Sequence, residues 1–77
     1  MINDAQVLAN LAANMKAGRE RMGLSQNAFA KKAGVSTPLI ANYETLRVPT
    51  PSLLHVLRIA RTMGLSLEQI IADPIRV

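Results

Sequence analysis

Apolar residues recur along this chain at helical spacing, broken by short polar stretches, and the pattern predicts five helices. The first runs from about Asp4 to Met22 with Leu8, Leu11, Met15 and Met22 at helix-compatible positions, and Asn3 or Asp4 is placed to cap it. Gly23 is its expected stop, and Ser25 then caps a second helix, Gln26 to Ala33, which turns Phe29 and Ala30 inward before Gly34 ends it. Ser36 caps a third helix from Thr37 to Glu44, with Ile40 and Tyr43 on one face and Pro38 in the first turn, where a missing N–H costs nothing. From Thr45 to Pro51 there are two prolines and no helical period, so this is a loop. Thr50 and Pro51 read as N-cap and first position of a fourth helix that ends near Met63-Gly64 and points Leu53, Val56, Leu57, Ala60 and Met63 inward. Ser66-Leu67-Glu68-Gln69 has the form of a capping box and opens a fifth helix that buries Leu67, Ile70 and Ile71, with Asp73-Pro74 as its stop. The tail, 74–77, either is disordered or pairs as an edge strand with a second subunit.

Size and composition narrow this to one all-α domain spanning 1–77. Phe29 and Tyr43 are the only aromatic residues, so the core must be filled by Leu, Ile, Val, Met and Ala, the palette of packed helices. With no cysteine there is neither a disulfide framework nor a thiolate metal site, and the single histidine, His55, cannot hold a metal alone. No cofactor is expected. Residues Met1 to Gln6 are polar and acidic where a secretory signal is basic and then apolar, and no apolar run reaches membrane-spanning length, so the expectation is a cytoplasmic protein with no membrane partner. Nine basic residues against five acidic give a net charge of +4, which favours a polyanion without requiring one.

The stretch from Leu24 to Glu44 carries the functional information. Two short helices joined by a tight turn cross closely, which asks for a small residue at the crossing and a permissive one at the turn; Ala30 and Gly34 meet those needs. Phe29, Ala33, Val35, Ile40 and Tyr43 then form one apolar seam. Thr37, Pro38, Ala41 and Asn42 are left on the opposite face of the third helix, offering hydrogen-bonding and methyl groups with little charge, a surface suited to base edges.

At these positions the chain resembles the helix-turn-helix domains of the lambdoid phage repressors and Cro proteins, often called XRE-like. The resemblance runs from about Leu11 to Ile71 and is carried by Arg19, Leu24-Ser25-Gln26, Phe29-Ala30, Ala33-Gly34-Val35-Ser36, Ile40, Tyr43-Glu44, Pro51-Ser52-Leu53 and Met63-Gly64-Leu65-Ser66-Leu67. It implies a five-helix, lambda-repressor-like domain whose helices two and three, about 25–44, form the DNA-binding unit. It further implies base contacts from Thr37, Pro38 and Asn42, with Asn42 the candidate for a bidentate adenine contact. Gln26, Ser36, Thr45 and Arg47 match positions that grip phosphates, and Arg19 and Glu44 match a partly buried structural ion pair. Leu46 departs from the pattern: many relatives carry there the glycine of a left-handed cap, which leaves the geometry of the 45–47 loop open. A recognition helix that begins Thr37-Pro38 offers fewer base hydrogen bonds than one beginning with Arg or Gln.

The expected function is therefore sequence-specific binding of double-stranded DNA by a homodimer on a near-palindromic operator, regulating transcription as a repressor. A rival from another class is the antitoxin of a toxin–antitoxin pair, which would autoregulate its operon and bind a toxin; the few tail residues offer it little. A pure interaction module is a third, favoured by acidic residues on the recognition face, of which there are none before Glu44. Activation would need a contact with RNA polymerase that the sequence does not reveal. Lys16, Arg21, Lys31, Lys32, Arg58 and Arg61 read as solvated charge, and His55 as a surface or subunit-interface residue. No nucleophile triad, paired carboxylates or glycine-rich phosphate loop stands out, so no enzymatic activity is expected.

Overall fold

Serine and asparagine side chains begin most of the helices in the computed structural model, which describes residues 3–74. The elements are α1 (Asp4–Arg21), α2 (Gln26–Ala33), α3 (Thr37–Glu44), α4 (Leu53–Thr62) and α5 (Leu67–Ile70). Asn3 Oδ1 accepts the Gln6 amide at 2.8 Å, Ser25 Oγ that of Ala28 at 3.1 Å and Ser36 Oγ that of Leu39 at 3.2 Å, each satisfying an orphan donor of a first turn. Ser66 and Gln69 close a reciprocal capping box at 2.9 and 3.1 Å. Gly34 ends α2 at φ 73°, a left-handed conformation that lets the Val35 amide donate back to the Ala30 carbonyl and turns the chain into α3 within three residues.

The core gathers one stripe from each helix. Met15 of α1, Phe29 of α2, Ile40 of α3, Ile59 of α4 and Ile70 of α5 are fully buried, and Leu11, Ala30, Ala33, Tyr43, Val56 and Ala60 complete the cluster. Gly18 keeps the back of α1 open for Met63, because a Cβ there would overlap the terminal methyl of Met63.

Four expectations are corrected. The fourth helix does not begin at Thr50-Pro51: its N-cap is Ser52, whose side chain makes no capping bond, and the Ser52 amide instead donates to the Tyr43 hydroxyl at 3.1 Å. A contact from another helix thus set the start. Leu53 is 71% exposed, because the apolar stripe of α4 runs past the end of the core; Ile59, not among the inward positions predicted, lies at its centre. Met22 is the C-cap of α1 and is exposed, one residue beyond the last helical turn. Finally, α5 stops at Ile70, ahead of Asp73-Pro74.

That early stop has a cause in α1. Asn14 Nδ2 donates to the carbonyls of Ile70 and Ala72 at 2.8 and 2.9 Å, while buried Asn10 donates to the Ile71 carbonyl at 3.1 Å and accepts from Gln6 at 2.9 Å. Two asparagines of the first helix therefore take up the carbonyls that a one-turn helix leaves unpaired. The part of the 74–77 tail beyond Pro74, where disorder or an edge strand was expected, lies outside the described residues.

Candidate nucleic-acid interface

The crossing of α2 and α3 is locked from beneath by a charged network. Arg19 donates from Nε and Nη2 to the two carboxylate oxygens of Glu44 at 2.8 and 3.1 Å, and from Nη1 to the Leu24 carbonyl at 2.9 Å. Gln26 Nε2 adds a bond to Glu44 Oε1 at 3.1 Å. The Glu44 side chain is only 3% exposed and that of Arg19 12%, so each depends on the other for its solvation. The Glu44 hydrogen bond holds the Arg19 guanidinium above its ordinary pKa against the opposing effect of burial. This one carboxylate joins α1, the start of α2 and the end of α3.

With Ile40 and Tyr43 buried where α3 packs on α2 and α1, α3 turns Pro38 and Asn42 fully outward and leaves Thr37 and Ala41 half-buried beside them. The Thr37 hydroxyl donates to Asn27 Oδ1 at 2.9 Å. The Ser36 oxygen is occupied as a cap acceptor, leaving its hydroxyl proton for an outside partner. Gln26 is half-buried and already tied to Glu44, with one amide hydrogen left over. Among the described residues α3 carries no charge on its exposed face, since its one ionic side chain, Glu44, is turned inward.

The 45–47 loop settles into the left-handed cap despite lacking glycine. Leu46 has φ 62°, and the Arg47 amide donates to the Asn42 carbonyl at 2.9 Å. The Thr45 and Leu46 amides also donate back into α3, and the Thr45 hydroxyl donates to the Ala41 carbonyl at 2.8 Å. Thr45 therefore has its donors turned into the helix, and the exposed Arg47 side chain is the donor the loop presents outward. A non-glycine residue in this region carries about 1–3 kcal/mol of backbone strain. Because Leu46 is 55% exposed and loses little packing, Leu46→Gly is expected to raise stability by about 0.5–1 kcal/mol in urea denaturation. A lower midpoint would show that the leucine side chain contributes more than its backbone costs.

No local signal in the sequence points to Asn27. It lies ten positions from Thr37, and only the crossing of two helices brings the pair together. Elsewhere, Arg58 donates to the Gly34 carbonyl at 3.4 Å, and among the described residues the other lysines and arginines outside α3 and its loop are mostly exposed. Among the described residues there is no cluster of three or more metal-ligating side chains, and no helix is long and apolar enough to cross a membrane.

A family model described as helix-turn-helix matches residues 15–70. Among solved structures the chain is similar to the crystal structure of a hypothetical transcription factor, NHTF, from Neisseria. The TM-score is 0.83 at 24% identity, covering 96% of this chain and 84% of the other, a likeness of fold. No curated protein matches it.

Proposed function

This chain belongs to the helix-turn-helix family of DNA-binding transcription regulators, and from that premise we propose that it represses transcription as a homodimer bound to a near-palindromic operator. The observation that carries the reading is the uncharged outer face of α3, with Asn42 and Pro38 exposed and Thr37 beside them, held at a fixed angle by the buried Arg19–Glu44–Gln26 network. A helix carried this way enters the major groove, and Asn42 is the side chain able to pair with N6 and N7 of adenine. Arg47, the Ser36 hydroxyl and the spare Gln26 amide hydrogen flank that face and fit backbone phosphates, which fix register without reading sequence. At Thr45 the hydroxyl keeps only acceptor lone pairs, so the phosphate grip of the loop rests on Arg47.

One such helix makes too few base contacts for useful affinity, and a two-fold pair doubles them. A surface that supports self-association lies away from α3. Leu53, 71% exposed, lines an apolar groove of about 410 Å³ together with Val7, Leu8, Leu11 and Leu67 among others, and its chain neighbour Leu54 is 52% exposed. Protruding side chains next to a groove on one face can be satisfied by an isologous contact. Repression follows if the dimer blocks polymerase from the same DNA, which makes the cytoplasm its place of action.

The reading is tested by selecting bound duplexes from a randomised library at near-physiological salt, then sedimenting the protein alone and with the selected duplex. The expected result is a two-fold symmetric motif with half-sites about 34 Å apart, occupied by two chains. Recovery of no motif, with only weak salt-sensitive binding, overturns it. Within the same system, Arg47→Ala is expected to weaken binding to all sequences alike and to lower the slope of log affinity against log salt by about 0.9 per chain. A change in the selected sequence would mean that Arg47 reads bases.

A further inference from the structure

We infer that Asn27 is a specificity-determining residue that works as a pair with Thr37, the two together reading one adenine in each half-site; the inference rests on the operator-binding reading above. A threonine hydroxyl has one proton and can otherwise donate or accept, so alone it discriminates poorly among base edges. Here that proton is committed: Thr37 Oγ1 donates to Asn27 Oδ1 at 2.9 Å. Thr37 is left able only to accept. The Asn27 amide nitrogen has no protein partner among the described residues, and Asn27 is exposed, so its hydrogens can only donate outward. The pair therefore presents a fixed donor next to a fixed acceptor at the start of the recognition helix.

Adenine shows the complementary order in the major groove, with the N7 acceptor beside the N6 amino donor on a single base. Guanine places two acceptors there, N7 and O6, and would set O6 against the lone pairs of Thr37. The two residues, ten apart in sequence and brought together by the crossing of α2 and α3, thus supply what one bidentate amide supplies elsewhere. The arrangement compensates for the short side chains at the start of α3, which alone offer few base hydrogen bonds.

The test repeats the duplex selection with Asn27→Ala, Asn27→Asp and Thr37→Val. Asn27→Ala frees the Thr37 proton, so the adenine preference at one position of each half-site is expected to fall by about tenfold while the other positions and the salt slope stay unchanged. Asn27→Asp keeps the acceptor for that proton but removes the donor, and is expected to lose the same preference. Combining Asn27→Ala with Thr37→Val should cost little beyond either alone, since each removes half of one reader. A motif from Asn27→Ala identical to that of the unmodified chain overturns the pairing and leaves operator binding standing. So does a uniform loss across sequences with a lower salt slope, which would make Asn27 a phosphate contact. Failure of the unmodified chain to select any motif overturns both.

Discussion

Glu44→Ala is expected to lower the unfolding free energy by about 3–5 kcal/mol, the cost of stranding one member of a buried ion pair. The carboxylate is 3% exposed, and its removal leaves the Arg19 guanidinium, 12% exposed, bonded only to the Leu24 carbonyl while Gln26 also loses its partner. Against a total stability that for a small domain is of order 5–15 kcal/mol, such a loss is a large part of the whole. Urea denaturation followed by circular dichroism measures it. Replacing both partners, Arg19→Met with Glu44→Leu, should recover most of the loss, because no uncompensated charge then remains. A single substitution costing under about 1 kcal/mol would mean that water solvates the orphaned Arg19, and that the network does not hold the α2–α3 crossing.

Arg19 also makes a pH statement. Its pKa is raised in the folded chain, chiefly by the Glu44 hydrogen bond. Stability from a raised cationic group is fully present below the unfolded value and is lost only as pH climbs through the folded one. For an arginine that window lies above the ordinary range of protein work, so this contribution should be flat with pH from neutral to moderately alkaline conditions.

Asn42→Ala is expected to leave stability nearly unchanged and to remove operator preference. Its side chain is exposed and makes no bond within the described protein, so truncation affects little but the outer face. A bidentate adenine contact discriminates by about 1–3 kcal/mol, and a two-fold dimer loses it twice, giving about 2–6 kcal/mol on the selected operator with scrambled duplex barely affected. Competition measured by fluorescence anisotropy separates the two. If affinity and preference both survive, α3 does not read the groove as proposed.

The two helices that form this face were legible residue for residue, because their signals are local. Ser25 and Ser36 cap through their own side chains, Gly34 supplies the left-handed turn, and the Phe29, Ala33, Ile40, Tyr43 pattern needs no distant partner to be recognised. The ion pair came instead from resemblance, since nothing in the spacing of Arg19 and Glu44 announces a contact across 25 positions. At α4 a tertiary contact overrides the local signal. Thr50-Pro51 is an acceptable helix start in isolation, but the Tyr43 hydroxyl takes up the Ser52 amide and places the start there. At Leu46 the geometry was open: a leucine does not advertise a left-handed cap, yet the backbone bonds of that cap form around it.

By itself, then, the sequence determined the number and order of the helices, the turn between α2 and α3 and the outward placement of Pro38 and Asn42, all set by capping chemistry and apolar period within a few residues. Only the tertiary structure decided where α4 begins and where α5 ends, that Asn10 and Asn14 close the fifth helix, and that Asn27 meets Thr37. Each of these is a hydrogen bond between groups far apart in sequence, and its partner exists only after the helices have packed.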